Sequence, residues 1–217
     1  MRFPKAKASV YKTLSKLSYK KHADQIKKDI PEGFEYDESL SNRETKVFVN
    51  PTTKKVVVSY RGTNFRDPKT ILRDLKSDWN ILRGNEKNDP RFKEAVRDFK
   101  KIQDKYKSEG YSIDTTGHSL GGQIATHVNR ERKGEVDENL SFSRGSGVFE
   151  PFRERPSNTY DFSHNRDIIS LGARLSKDEG GGKQNSFVSR TKVKDALNAH
   201  DLDRIDTFEN SRPIQML

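Results

Sequence analysis

The chain predicts an α/β architecture, a mostly parallel central sheet flanked by helices, and three observations carry that prediction. Segments with strand-like and helix-like patterns alternate along it. Val56-Val57-Val58 is an unbroken apolar run, which suits a strand covered on both faces. Tyr111 to Gly122 reads as strand, tight turn and helix in immediate succession, with a glycine two residues to either side of Ser119.

The elements follow in order. Residues 8 to 30 predict one helix, with Val10, Leu14 and Leu17 at helical spacing, Ile26 and Ile30 beyond, and lysines elsewhere. Pro31 and Gly33 stop it. Thr45–Asn50 and Lys54–Tyr60 predict strands joined by a turn at Pro51-Thr-Thr. Residues 68 to 83 predict a helix with Ile71, Leu72, Leu75, Trp79 and Leu82 on one face. Arg91 to Ser108 predicts another, on Phe92, Ala95, Val96, Phe99, Ile102 and Tyr106, ended by Gly110. Past the Ser119 turn, short strands are expected at Leu140–Phe142, Thr159–Phe162 and Phe187-Val188, and a short helix at Asp195–Ala199.

Composition bounds the rest. The 217 residues amount to one main domain, lean in hydrophobic residues (30%) and rich in charge (34%). The net charge is +10, and residues 1 to 28 hold nine Lys or Arg against Asp24 alone, so eight of the ten net charges lie there. Residues 1–33 are therefore read as a basic, helical N-terminal segment and 34–217 as the α/β domain. That segment has two readings. It docks its apolar stripe on the domain and leaves its lysines in water, or it draws the protein to an anionic surface, membrane or nucleic acid. The absence of cysteine excludes disulfides, thiolate metal sites and a cysteine nucleophile. No apolar run approaches the ~18 residues of a membrane span. Met1-Arg-Phe-Pro-Lys-Ala-Lys lacks the apolar stretch of a secretory signal. An intracellular or virus-encoded protein is the resulting expectation.

Gly117-His118-Ser119-Leu120-Gly121 fits the G-x-S-x-G elbow, in which a strained turn presents a serine nucleophile at a helix start. A serine needs a base. His118 adjoins Ser119, so its side chain points elsewhere; His127 lies about two turns into the following helix, and His22 sits among the N-terminal lysines. His164 and His200 remain. In such folds the order is nucleophile, acid, base. Asp167 followed by His200 satisfies it, whereas His164 precedes the best acid. The competing roles are a helix-capping Asp167 and a surface His200. An oxyanion needs two N–H donors: Leu120, after the nucleophile, and Thr63, in the turn Arg61-Gly62-Thr63 after an early strand.

Taken together these pieces resemble the class 3 lipases, an α/β-hydrolase family. Tyr60-Arg-Gly-Thr63, Thr116-Gly-His-Ser-Leu-Gly-Gly122, Asn165-Arg-Asp-Ile-Ile-Ser-Leu171 and His200 match in order, over roughly residues 45 to 205. The resemblance implies Ser119 as nucleophile, Asp167 as acid, His200 as base, Thr63 in the oxyanion hole, and a lid from Asn64 to about Leu75. No metal or cofactor is expected. One departure concerns the acyl pocket: where the family often has F-G-x-P, this chain has Phe142-Ser-Arg-Gly-Ser-Gly147, and its next proline is Pro151. The expected activity is a serine esterase on acyl esters of glycerolipids: acylglycerols, lysophospholipids or phospholipids. The alternative is a non-catalytic hydrolase-fold scaffold whose basic N-terminus contacts an anionic membrane or nucleic acid. The nucleic-acid reading rests on charge alone, with no aromatic–basic or zinc motif beside it.

Overall fold

The computed structural model describes residues 5–63, 89–145, 155–167, 170, 185–189, 201–204 and 212–213. Within them the chain forms an eight-stranded sheet whose spatial order is its sequence order. The strands are β1 (Glu35–Tyr36), β2 (Thr45–Asn50), β3 (Lys55–Tyr60), β4 (Ser112–His118), β5 (Asn139–Phe142), β6 (Thr159–His164), β7 (Ser186–Ser189) and β8 (Arg212–Pro213). Strands β3 to β7 are parallel, and the outer pairs β1–β2, β2–β3 and β7–β8 are antiparallel. The helices are α1 (Lys5–Leu17), α2 (Ala23–Asp29), α3 (Pro90–Tyr106) and α4 (Leu120–Glu131).

Sequential strand order has a consequence for the core. Right-handed crossovers that always step the same way put their helices on one face of the sheet. Helices α3 and α4 are the crossovers from β3 to β4 and from β4 to β5, and both pack on one face. They bury Phe92, Ala95, Phe99, Ile102, Ile124, Ala125 and Val128 against Val47, Val49, Val56, Val58 and Ile113. The other face carries Phe48, Val57, Leu140, Phe142, Phe162 and Phe187, and α1 packs there through Ala8, Tyr11, Leu14 and Leu17. The valine run is thus divided, with Val56 and Val58 on one face and Val57 on the other. Three of those phenylalanines stack across β5, β6 and β7, with centroids 5.3 and 5.0 Å apart. Such pairs contribute about 0.5–1.5 kcal/mol each beyond their buried area.

The apolar stripe of α1 is therefore core: Leu14 and Leu17 are buried, and the Ser59 hydroxyl donates to the Leu14 carbonyl at 3.1 Å. Among its lysines, Lys7 pairs with Glu138 and Lys16 with Asp203. The single helix expected over 8–30 is two. Tight turns close its first half, with Ser18 and Tyr19 amides donating to Ser15 and Lys16 carbonyls at 3.3 and 3.2 Å, and the Ser18 hydroxyl also donating to Ser15 at 2.7 Å. A serine offers the backbone this alternative to helix continuation. The break turns Tyr19 inward.

Helix α3 begins where Asp89 accepts from the Arg91 amide at 2.8 Å, a cap worth about 1 kcal/mol, and its chain leaves through Gly110 at φ 79°. The expected strands at 45–50, 54–60, 140–142, 159–162 and 187–188 are all present, within one or two residues at their ends. Strands β1 and β8, two residues each, were not expected. The expected helices over 68–83 and 195–199 lie outside the described residues.

Candidate active site

Parallel strands in register bring their carboxyl ends to one edge. Tyr60 pairs with Gly117, His118 with Phe142, and His164 with Ser189. Ligand sites of open α/β sheets form at this edge. Thr63 follows β3 by three residues, Ser119 follows β4 directly, and Asp167 follows β6 by three.

Ser119 holds φ 56° and ψ −124° between β4 and α4. A non-glycine residue there is strained by about 1–3 kcal/mol and persists only when its surroundings hold it. They do so from both sides. The Ser119 amide donates to the Phe142 carbonyl at 3.0 Å, and the Ser119 carbonyl accepts from Gln123 at 3.2 Å and Gly145 at 3.1 Å. Ser143, standing where the resembled segment has glycine, is itself left-handed at φ 43°, and its amide donates to the Phe162 carbonyl at 2.6 Å. The loop after β5 thereby grips the elbow.

The glycines of the motif are required by close approach. A Cβ on Gly117 would lie 2.3 Å from the Gly121 carbonyl carbon, and one on Gly121 would lie 2.1 Å from the Tyr60 oxygen. A Cβ on Gly62 would lie 2.5 Å from the His118 carbonyl oxygen. The end of β3 and the segment Arg61-Gly62-Thr63 are therefore packed against the elbow on both sides of Ser119. Leu120 opens α4, so its N–H has no acceptor within the helix. This is an N–H-rich corner at the positive end of a helix dipole. Ser119 itself is buried.

Sequence reasoning missed two supports. Tyr19, from the break between α1 and α2, has its hydroxyl 2.9 Å from His118 Nδ1. That hydroxyl would also lie 2.2 Å from a Cβ on Gly62, so it touches both the elbow and the segment beside it. Burial raises its pKa, with Arg61 and Arg91 acting in the opposite direction. No motif surrounds Tyr19. The second support is a buried charge cluster. Arg144 donates to Asp161 from Nε at 3.0 Å and from Nη2 at 2.8 Å, Arg155 Nη1 donates to Asp161 at 2.7 Å, and Arg144 Nη1 reaches Gln123 Oε1 at 3.1 Å. Burial would raise the Asp161 pKa, but the two arginines outweigh it and hold it below the usual carboxylate range. The cluster ties β6 and the post-β5 loop to the first turn of α4. In a chain this rich in charge, nothing local distinguishes these residues from surface ones.

Of the other expected residues, Asp167 is buried in the turn after β6, where it accepts from the Ser170 amide at 3.3 Å. His164 ends β6, buried, with its Nδ1 accepting from the Arg166 amide at 3.1 Å. His127 is buried edge-on against Phe92, and His22 precedes α2, exposed. His200 and the lid expected over 64–75 lie outside the described residues. Immediately after His200, Leu202 joins the α1-side core and Asp203 pairs with Lys16 at 2.8 Å. Among the described residues no group of three or more His, Asp or Glu side chains is placed to hold a metal ion.

The sequence matches no family model. It matches no curated protein either. Its structure is similar to solved lipases. Against Lip2 lipase from Yarrowia lipolytica the TM-score is 0.55 at 14% identity, covering 89% of this chain and 82% of that one. Against a lipase from Rhizopus microsporus var. chinensis it is 0.50 at 17% identity, covering 94% and 83%. Against a fungal lipase in complex with an inhibitor it is 0.52 at 16% identity, covering 86% and 79%. With its parallel sheet, its strained strand–serine–helix turn and these neighbours, the chain has the α/β-hydrolase fold.

Proposed function

We propose that this chain is a serine esterase acting on acyl esters of glycerolipids, with Ser119 as nucleophile, His200 as base, Asp167 as the acid that orients it, and Leu120 and Thr63 as oxyanion donors. The observation that carries the reading is Ser119 at φ 56°, held by backbone bonds on both sides and packed against the Arg61–Thr63 segment. Folding alone needs neither the strain nor the close approach; a nucleophile elbow needs both. The fold shared with fungal lipases supports the same reading. So does the docking of 201–203 on α1, which brings the chain just past His200 toward the helix end that leads to Tyr19 and the elbow.

In this mechanism Ser119 Oγ attacks the acyl carbonyl while His200 takes its proton. The carbonyl oxygen becomes an oxyanion, held by the N–H groups of Leu120 and Thr63. The intermediate collapses, the alcohol leaves with the proton from His200, and the acyl group stays on Ser119. Water, deprotonated by His200, then releases the fatty acid. Asp167 holds the imidazole and stabilises its charged form. No cofactor enters.

A fluorophosphonate probe tests this directly, because it labels only an activated serine. The wild type should be labelled and should hydrolyse a short acyl ester. Ser119→Ala should be folded, unlabelled and reduced to at most the ~10³–10⁴ over water that an oxyanion site supplies alone. An unlabelled wild type would favour the non-catalytic scaffold instead.

A further inference from the structure

A cleft of about 540 Å³ lies between the α1–α2 break, the β1–β2 turn and Arg61, just past the end of β3. Its lining includes Lys20, Lys21, Arg43, Lys46 and Arg61, with Glu38 as the carboxylate among them. The surrounding acids do not balance this charge. Glu38 is paired with Lys27 at 3.4 Å. Glu44 is shared by Arg43, Arg61 and Arg91 at 3.3, 3.9 and 2.9 Å.

Two of the cations are buried: Lys46 is 4% exposed and Arg61 is 6% exposed. Lys46 donates to the Asn42 carbonyl, a neutral partner. Burial and then the charge of Arg61 lower its pKa. Arg61 Nε is buried with no hydrogen-bond partner among the described residues. Lys46 makes no ion pair among the described residues, and Arg61 shares its carboxylate, Glu44, with two other arginines, so two buried like charges stand weakly offset and oppose folding unless something compensates. The rim adds Lys20 and Lys21, which make no ion pair among the described residues.

We infer that this cleft binds a phosphate-bearing anion, with Arg61 and Lys46 at its floor and Lys20 and Lys21 closing over it. An anion there would offset the two neighbouring like charges and offer oxygens to the cations that line the cleft. Phosphate suits it better than a carboxylate, because it offers oxygens in several directions to cations arriving from three separate segments. The volume falls within the usual ~300–1,000 Å³ of small-ligand sites, which leaves room for more than the phosphate itself. A phospholipid headgroup and a free phosphate ester share this chemistry. The site does not depend on the proposed esterase activity. It also gives the basic N-terminus a definite role, in which Lys20 and Lys21 gather the anion while the apolar stripe of α1 stays in the core.

The test uses the full chain and measures binding rather than turnover. Thermal midpoint and titration calorimetry are followed against inorganic phosphate and glycerol phosphate. Sedimentation is followed with phosphatidylglycerol-containing vesicles and with pure phosphatidylcholine vesicles. The wild type should show saturable binding to at least one of these phosphate probes. Lys20→Glu with Lys21→Glu should weaken it by about tenfold or more. Lys12→Glu with Lys28→Glu, equal in charge but outside the lining, should leave it nearly unchanged. Binding to phosphatidylglycerol vesicles that glycerol phosphate competes away assigns a lipid headgroup; binding of the soluble probes without the vesicles assigns a free phosphate ester. Absence of saturable binding to every probe overturns the inference. So does equal weakening by both charge-reversed pairs, which would mean that net charge alone attracts the anion.

Discussion

Gly121→Ala should separate catalysis from folding. The added Cβ would sit 2.1 Å from the Tyr60 oxygen and 2.9 Å from both the Arg61 carbonyl carbon and the Gly62 nitrogen. All three are backbone atoms, so no side chain can rotate away. Ordinary contact begins at 3.4 Å, so α4 and the end of β3 must move apart by roughly 1.3 Å. Overpacking of this kind costs about 1–3 kcal/mol. A domain with the usual stability of about 5–15 kcal/mol survives that. The chemistry should suffer more, because the displaced segment carries Thr63 and the helix carries Leu120. A misplacement of about 1 Å costs on the order of 10² in rate. We expect kcat on a short acyl ester to fall by about that factor with KM little changed, since oxyanion donors act mainly in the transition state. Thermal unfolding is measured in parallel. Gly122→Ala is the graded comparison: its Cβ would meet the Gly117 oxygen at 3.1 Å and the Ser141 Cβ at 3.3 Å, so its effect should be much smaller. A folded Gly121→Ala protein with wild-type kcat would refute the claim that this approach builds the oxyanion site.

Asp161→Asn removes the carboxylate between two buried arginines and should lower the unfolding free energy by about 3–5 kcal/mol in urea titrations. Because the folded carboxyl lies below its unfolded value of about 3.9, its stabilisation is present above that pH and lost as pH falls through the folded value. Acid unfolding below about pH 4 should therefore depend on Asp161, and a variant with the wild-type acid limb would refute the assignment. Tyr19→Phe removes the hydroxyl held against His118 and should cost about 1 kcal/mol of stability. It should also lower kcat several-fold at unchanged KM, whereas a purely structural tyrosine would leave kcat intact. His200→Ala and Asp167→Asn should each lower turnover by several orders of magnitude and add little to Ser119→Ala, since residues acting as one unit are not additive. His164→Ala is their control, and a larger loss there than at His200 would reassign the base.

Much of the fold was legible because its signals are local. Parallel strands covered on both faces read as apolar runs, and Val56–Val58 is one. An amphipathic helix repeats its apolar residues at helical spacing, and α3 does so from Phe92 to Tyr106. The elbow was legible for the same reason: strand, strained serine and helix start occupy adjacent residues, and the glycines record a steric need that no other residue meets. Leu14 and Leu17 announced a helix but not its partner. Only the sequential strand order, which leaves one face of the sheet without α3 and α4, decided that α1 belongs to the core.

Contacts between residues far apart in the chain had no such signal. Tyr19 reaches His118 because hydrogen bonding at Ser18 ends α1 one residue earlier, a competition that helical periodicity does not register. Arg144, Arg155 and Asp161 look like ordinary charges in sequence, and become a buried cluster only when β6 and the loop after β5 bring them together. The cleft between Lys20 and Arg61 is likewise built from three separate segments. Charge carries no periodicity of its own, so the sequence determined how much of it the chain holds, while the tertiary structure decided which charges are paired, which are buried together and which line a site.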